Sequence, residues 1–136
     1  MNLVQFFKLY LIAVPVFFAI DLVWLALVAR GFYQSQIGFL MRENVRWVPA
    51  VIFYLLFVVG IIIFAVWPGI EKGSVLKTLT LGAAFGFLAY ATYDLTNLAT
   101  LKGWPIKIVV VDIIWGSVLT GSVAAITHSI YRLLIN

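Results

Sequence analysis

Four runs of about 20 apolar residues constrain this chain more than any other feature: Leu9 to Ala29, Val48 to Trp67, Thr78 to Leu101 and Ile106 to Thr127. At about 1.5 Å of rise per residue, a helix of that length crosses a hydrocarbon core about 30 Å thick. In lipid every backbone N–H and C=O must be satisfied within the protein, and for separate apolar runs the helix is the structure that does so. The expected fold is therefore all-α, an integral membrane four-helix bundle in a single transmembrane domain over residues 1–136. Composition agrees: 65% of the residues are hydrophobic and 10% charged, where a soluble domain carries roughly 25% charged residues. Mean hydropathy is +1.14.

What the composition excludes is equally useful. There is no cysteine, so disulfides, thiolate metal sites and cysteine nucleophiles are absent. The single histidine, His128, rules against a multi-histidine metal centre. A net charge of +4 would point to nucleic acid in a soluble domain, but here the basic residues stand at span ends, as headgroup anchors do, so the expected partners are membrane lipids and no nucleic acid. The first run is too long for a signal peptide and lacks a small-residue cleavage site, so it is expected to stay as the first span.

The connections follow from breakers and charges. Arg30 ends the first run, Trp67-Pro68-Gly69 breaks the second, and Lys102-Gly103-Trp104-Pro105 makes a tight turn that leaves helices three and four antiparallel. Pro15 is expected to kink the first span. The stretch from Arg30 to Trp47 reads as an interfacial loop or a short amphipathic helix. Lys8, Lys72, Lys77 and Arg132 fall on one side and Arg30, Arg42, Arg46, Lys102 and Lys107 on the other, too even a split to set an orientation.

Three of the five acids lie inside spans, and all three are aspartates. Counting along each helix, Asp21 lies about 13 Å before Arg30, Asp94 about 12 Å before Lys102 and Asp112 about 10 Å beyond Pro105, close to one level on the side of the five basic residues. An aspartate facing lipid at mid-bilayer costs about 2.5–3.5 kcal/mol, so three would cost up to about 10, comparable to the stability of a whole domain. They must face one another or water. As helix-pairing groups they would add only about 0.6–2 kcal/mol per bond, which asparagine or serine could supply.

The neighbours add detail. Trp24 lies at i+3 from Asp21, Tyr90 and Asn97 at i−4 and i+3 from Asp94, and Trp115 at i+3 from Asp112, while Tyr54 of the second run reaches a similar depth. Carboxylates walled by tryptophan and tyrosine suit a cation, which gains countercharge and π faces together. Trp47, Trp67 and Trp104 read instead as interface anchors.

"DLVWLALVARGF" from Asp21 can be laid on "DLTNLATLKGW" from Asp94, which points to two duplicated helical hairpins with Asp21 and Asp94 as equivalents. Small residues at Gly82 and Gly86, and at Gly116, Thr120 and Ala124, are placed for close helix packing. His128 reads as a polar helix end.

The motifs "YDLTNLATLKGWP", "VDIIWG" and the early "DLVWL" resemble a family of small four-helix bacterial membrane proteins known as a domain of unknown function. The resemblance implies a multi-pass protein of the bacterial inner membrane and brings no reaction or ligand with it. In size alone the chain is also similar to the small multidrug exporters, but those place a glutamate in the first span and lack these motifs.

Three functions compete. In the first, Asp21, Asp94 and Asp112 exchange protons for a cation or amphipathic small molecule, with Trp24, Trp115, Tyr54 and Tyr90 as walls and Asn97 orienting a carboxylate, in a homodimer that completes a transport path. The second is a lipid- or isoprenoid-modifying enzyme, in which the same three aspartates hold Mg²⁺ or Mn²⁺ or act as general acid without a metal. The third is an accessory membrane subunit whose aspartates only pair helices.

Overall fold

A computed structural model of the chain describes residues 1–135. Its four long helices are α1 (Leu3–Leu40), α2 (Trp47–Glu71), α3 (Val75–Thr100) and α4 (Ile106–Ile135), each long and apolar enough to cross a membrane. No strand occurs among the described residues.

The helix starts are capped as their sequences dictate. Asn2 Oδ1 accepts from the Gln5 amide at 2.9 Å and Gln5 Oε1 accepts from the Asn2 amide at 2.8 Å, a reciprocal capping box that satisfies two otherwise orphaned donors. Ser74 Oγ accepts from the Lys77 amide at 3.1 Å and starts α3.

The ends of α1 and α2 differ from the sequence reading, for physical reasons. α1 runs through Pro15, passes through a π-helical turn at Trp24–Ala29, resumes as α-helix over Arg30–Ile37 and closes in a 3₁₀ turn at Gly38–Leu40. Arg30 ends an apolar run but does not break a helix, and Gly31 alone costs only about 1 kcal/mol of propensity. Most of the stretch expected as an interfacial loop or a short amphipathic helix is therefore helix, continuous with the first span. α2 passes through Trp67-Pro68-Gly69 because a π turn at Ile62–Val66 immediately precedes Pro68 and reroutes the bonds that a proline cannot make. The helix stops at Gly73 instead, where φ is +62°. There the Gly73 amide donates to the Ile70 carbonyl at 2.9 Å and the Ser74 amide to the Gly69 carbonyl at 3.0 Å, the paired bonds of a Schellman cap.

α3 and α4 pack antiparallel along their whole length, joined by a turn in which Gly103 adopts φ +76°. Between membrane helices there is no aqueous hydrophobic drive, so close backbone approach has to supply the attraction. A Cβ on Gly86 would lie 2.1 Å from the Gly116 carbonyl oxygen, and one on Gly82 would lie 2.9 Å from both the Thr120 carbonyl oxygen and Ala124 Cβ. α2 meets α3 along Ile62–Glu71, then parts from it along Trp47–Ile61. Across the widening gap Phe57 stacks on Phe85, with centroids 5.3 Å apart, and meets Tyr90 edge-on at 6.4 Å.

Buried side chains form two clusters. The larger joins Leu9, Ala13 and Phe17 of α1 to Val58, Ile61 and Ile62 of α2 and Leu119 and Val123 of α4. The smaller gathers Phe32, Tyr33 and Ile37 of the extended α1 around Trp104, Ile108 and Val109. The three intramembrane aspartates lie between these clusters along the chain. The two Asp-Leu-x-x-Leu-Ala stretches take different backbones: a π turn follows Asp21, whereas α3 stays regular beyond Asp94 to Thr100.

Candidate functional site

The acidic layer is built from α1, α3 and α4. Asp94 of α3 is fully buried, and neither of its carboxylate oxygens has a hydrogen-bond partner. Asp112 of α4 lies beside it, as the tight α3–α4 turn requires. The Tyr33 hydroxyl, carried in by the extension of α1, donates to Asp112 Oδ1. Asp21 stands apart: the Trp115 indole N–H donates to its Oδ1 at 3.3 Å. Because Trp115 follows Asp112 by three residues, Asp21 sits about one helical turn, about 4.5 Å, further along α4 than Asp112.

Aromatic rings wall these carboxyls. Trp24 stacks on Trp115 with centroids 4.2 Å apart and planes at 7°. Tyr54 lies beside Asp21. Tyr90 is central, within electrostatic reach of Asp21, Asp94, Asp112 and Tyr54. Its ring has room only because α4 carries glycine opposite: a Cβ on Gly116 would fall 2.3 Å from the ring. Asn97, half-buried, lies beside the Tyr93 phenol, and no hydrogen bond joins it to an aspartate among the described residues. A cleft of about 350 Å³ opens between α2 and α3, lined by Phe53, Tyr54, Ala89, Tyr90, Tyr93 and Asp112.

Thus Asp94 and Asp112 adjoin, Tyr90 and Tyr54 stand between them and Asp21, and Trp24 and Trp115 form the α1–α4 flank beside Asp21. The aspartates weighed as a ligand set for Mg²⁺ or Mn²⁺, Asp21, Asp94 and Asp112, do not converge on one point: among the described residues no group of three His, Asp or Glu side chains could hold a metal ion.

Two neighbours of the layer escape a reading by span. Tyr33 lies beyond the charge that seemed to end the first helix, yet Ala29, Tyr33 and Ile37 repeat at four-residue spacing, the signal of a helix face that continues. Trp104, read as an interface anchor, is only 8% exposed, lies beside Asp94 and meets Tyr93 edge-on at 5.9 Å. His128 differs too. It is fully buried, with Nδ1 2.6 Å from Thr78 Oγ1. Thr78 Oγ1 also lies 3.2 Å from the Ser74 carbonyl, and His128 Nε2 has no partner.

In comparison with protein families, the model of a family described as a predicted membrane protein, DUF2177, matches residues 6–129. Comparison with curated proteins and with solved structures gives no match. Together with the four membrane-length helices, the family match makes this an integral, multi-pass membrane protein.

Proposed function

The chain belongs to this DUF2177 family of predicted membrane proteins, and from its acidic layer we propose that it binds a cation or cationic amphiphile within the bilayer in exchange for a proton, as one step of transport. The observation that carries this reading is Asp94: a fully buried carboxyl neither of whose oxygens makes a hydrogen bond of normal geometry, with only the Asp112 carboxyl and the Trp104 indole as polar neighbours. A polar group buried in lipid without a partner costs several kcal/mol, roughly. A fold retains such a group where a ligand completes it, and intramembrane acids mark ion and proton pathways by default. Asp112 beside it supplies a second carboxyl, and Tyr54 and Tyr90 supply π faces for the cation. When the cation arrives it replaces a proton as countercharge, which couples binding to proton release. Four helices make a thin path, so a second copy of the chain would complete the route, in the bacterial inner membrane that the sequence motifs imply.

The test uses proteoliposomes with an internal pH dye. Adding tetraphenylphosphonium outside should release protons from the wild type, and Asp94→Asn should abolish the response. An unchanged response in that variant would sink the proposal.

A second reading has its own observation. Asp21 and Asp112 each accept a hydrogen bond across the α1–α4 interface, from Trp115 and Tyr33 respectively. On this view both aspartates pair helices, and Asp94 alone serves the ligand.

A further inference from the structure

Resting on the binding reading above, we propose that the ligand reaches the acids sideways from the lipid, between α2 and α3, and that it is a single-chain amphiphile with a cationic head and a tail that stays in the gap. On the side of the five basic residues, Phe32, Tyr33 and Ile37 pack over Trp104, Ile108 and Val109; Ile108 is fully buried and Val109 only 5% exposed. Tyr33 also donates to Asp112, which ties this cover to the acids. On the opposite side, Phe17, Val58, Ile61, Leu119 and Val123 form a continuous buried core. Both ends of the bundle are thus filled by packed, buried side chains.

The lateral side is different. α2 holds α3 along Ile62–Glu71 but leaves it along Trp47–Ile61, so the two helices diverge toward the depth of the acids. The cleft between them, about 350 Å³, lies within the range of small-molecule sites, about 300–1,000 Å³. Its rim, Phe53 and Tyr93, is more than half exposed on a surface that faces lipid in a membrane. Ala89 contributes only a methyl group to the wall, and Asp112 lies at the floor. Directly behind the floor stands the unpartnered, fully buried Asp94.

This gradient of chemistry specifies the occupant. A carboxyl floor with the Tyr54 and Tyr90 phenols beside it takes a positive head. An apolar rim open to acyl chains takes a hydrocarbon tail without desolvating anything polar. A compact inorganic cation would have to cross lipid to reach this mouth, at a cost of tens of kcal/mol by solvation, roughly, whereas an amphiphile already resides there.

The native chain has no cysteine, so a pair placed across the cleft can be bridged selectively. Phe53→Cys and Ala89→Cys, on opposite walls, are joined by a disulfide-containing bis-maleimide in lipid nanodiscs. The measurement is binding of dodecyltrimethylammonium, corrected for its partition into protein-free discs. The expected result is at least a tenfold loss of affinity on bridging, full recovery when the bridge is cut by reductant, and loss in Asp112→Asn without any bridge. Recovery on reduction separates a closed route from a damaged fold. If bridging leaves binding intact while Asp112→Asn removes it, lateral entry is overturned and the acidic site stands. If Asp112→Asn and Asp94→Asn both bind like the wild type, the acidic site itself is overturned; if only Asp112→Asn does, Asp112 is overturned as the floor of the site. No binding beyond that of empty discs overturns the assigned ligand class.

Discussion

Helix α3 is held on one side by glycines and on the other by rings. Against α4, Gly82 and Gly86 bring backbone to within contact of backbone, and a methyl group at position 86 would lie 2.1 Å from the Gly116 carbonyl oxygen. Against the first half of α2, contact comes from the flat faces of Phe57 and Phe85 and the edge of Tyr90. In lipid, where van der Waals fit supplies most of helix attraction, backbone contact gives a rigid interface, because carbonyl oxygens cannot step aside. Rings can turn. The same helix thus belongs to a fixed pair on one side and a yielding contact on the other, and the cleft opens on the yielding side.

Substitution at one position in each interface tests that contrast. Gly86→Ala should lower stability in detergent by about 2–3 kcal/mol, since the new methyl meets backbone. Gly60→Ala on α2 meets only the Phe85 ring tip at 2.7 Å. There the helix-propensity gain of about 0.5–1 kcal/mol offsets the ring's displacement, and stability should stay within about 0.5 kcal/mol of wild type. Equal losses at both positions would erase the distinction.

The acids divide by partner. Asp112→Leu leaves the Tyr33 hydroxyl without its acceptor and should cost about 1–3 kcal/mol, while Asp94→Leu breaks no hydrogen bond and should leave stability unchanged or higher. A destabilised Asp94→Leu would mean that Asp94 pairs helices after all. Tyr33→Phe should cost about 1 kcal/mol, with faster hydrogen exchange confined to the Arg30–Leu40 end of α1. Trp115→Phe keeps a ring against Trp24 but loses the 3.3 Å bond to Asp21, and thermal unfolding should register less than about 1 kcal/mol.

The four helices and the α3–α4 turn are legible in the sequence because an apolar run about 20 residues long has one solution in lipid, and Gly103 before Trp104-Pro105 stops a helix sharply. The neighbourhood of Asp94 and Asp112 is legible too, because a tight turn sets two antiparallel helices in register. The rest was hidden by a confusion of two boundaries. Hydropathy marks where charge begins, at Arg30, but a helix ends only where a breaker stands, so the Tyr33 contact to Asp112 lay outside every apolar run. Likewise Pro68 reads as a stop only while α2 is assumed regular; the π turn before it is tertiary and leaves no local signature. The separation of Asp21 from the other two aspartates is an offset of about one helical turn along α4, set by how α1 docks on α4 through Trp115, which counting residues from span ends cannot resolve.

The π turn at Trp24–Ala29 decides which way Tyr33 points. Residues advance about 100° each around an α-helix. Over the 12 positions from Asp21 to Tyr33, a regular helix would carry Tyr33 roughly 120° away from the direction of Asp21. One extra residue in a wider turn takes back about 100° and sets the two nearly in line. The turn therefore works as a one-letter frameshift in three dimensions. Removing one residue between Leu25 and Ala29 would keep every side chain of the acidic layer in the chain, yet swing Tyr33 off the bundle and leave Asp112 without its phenol donor.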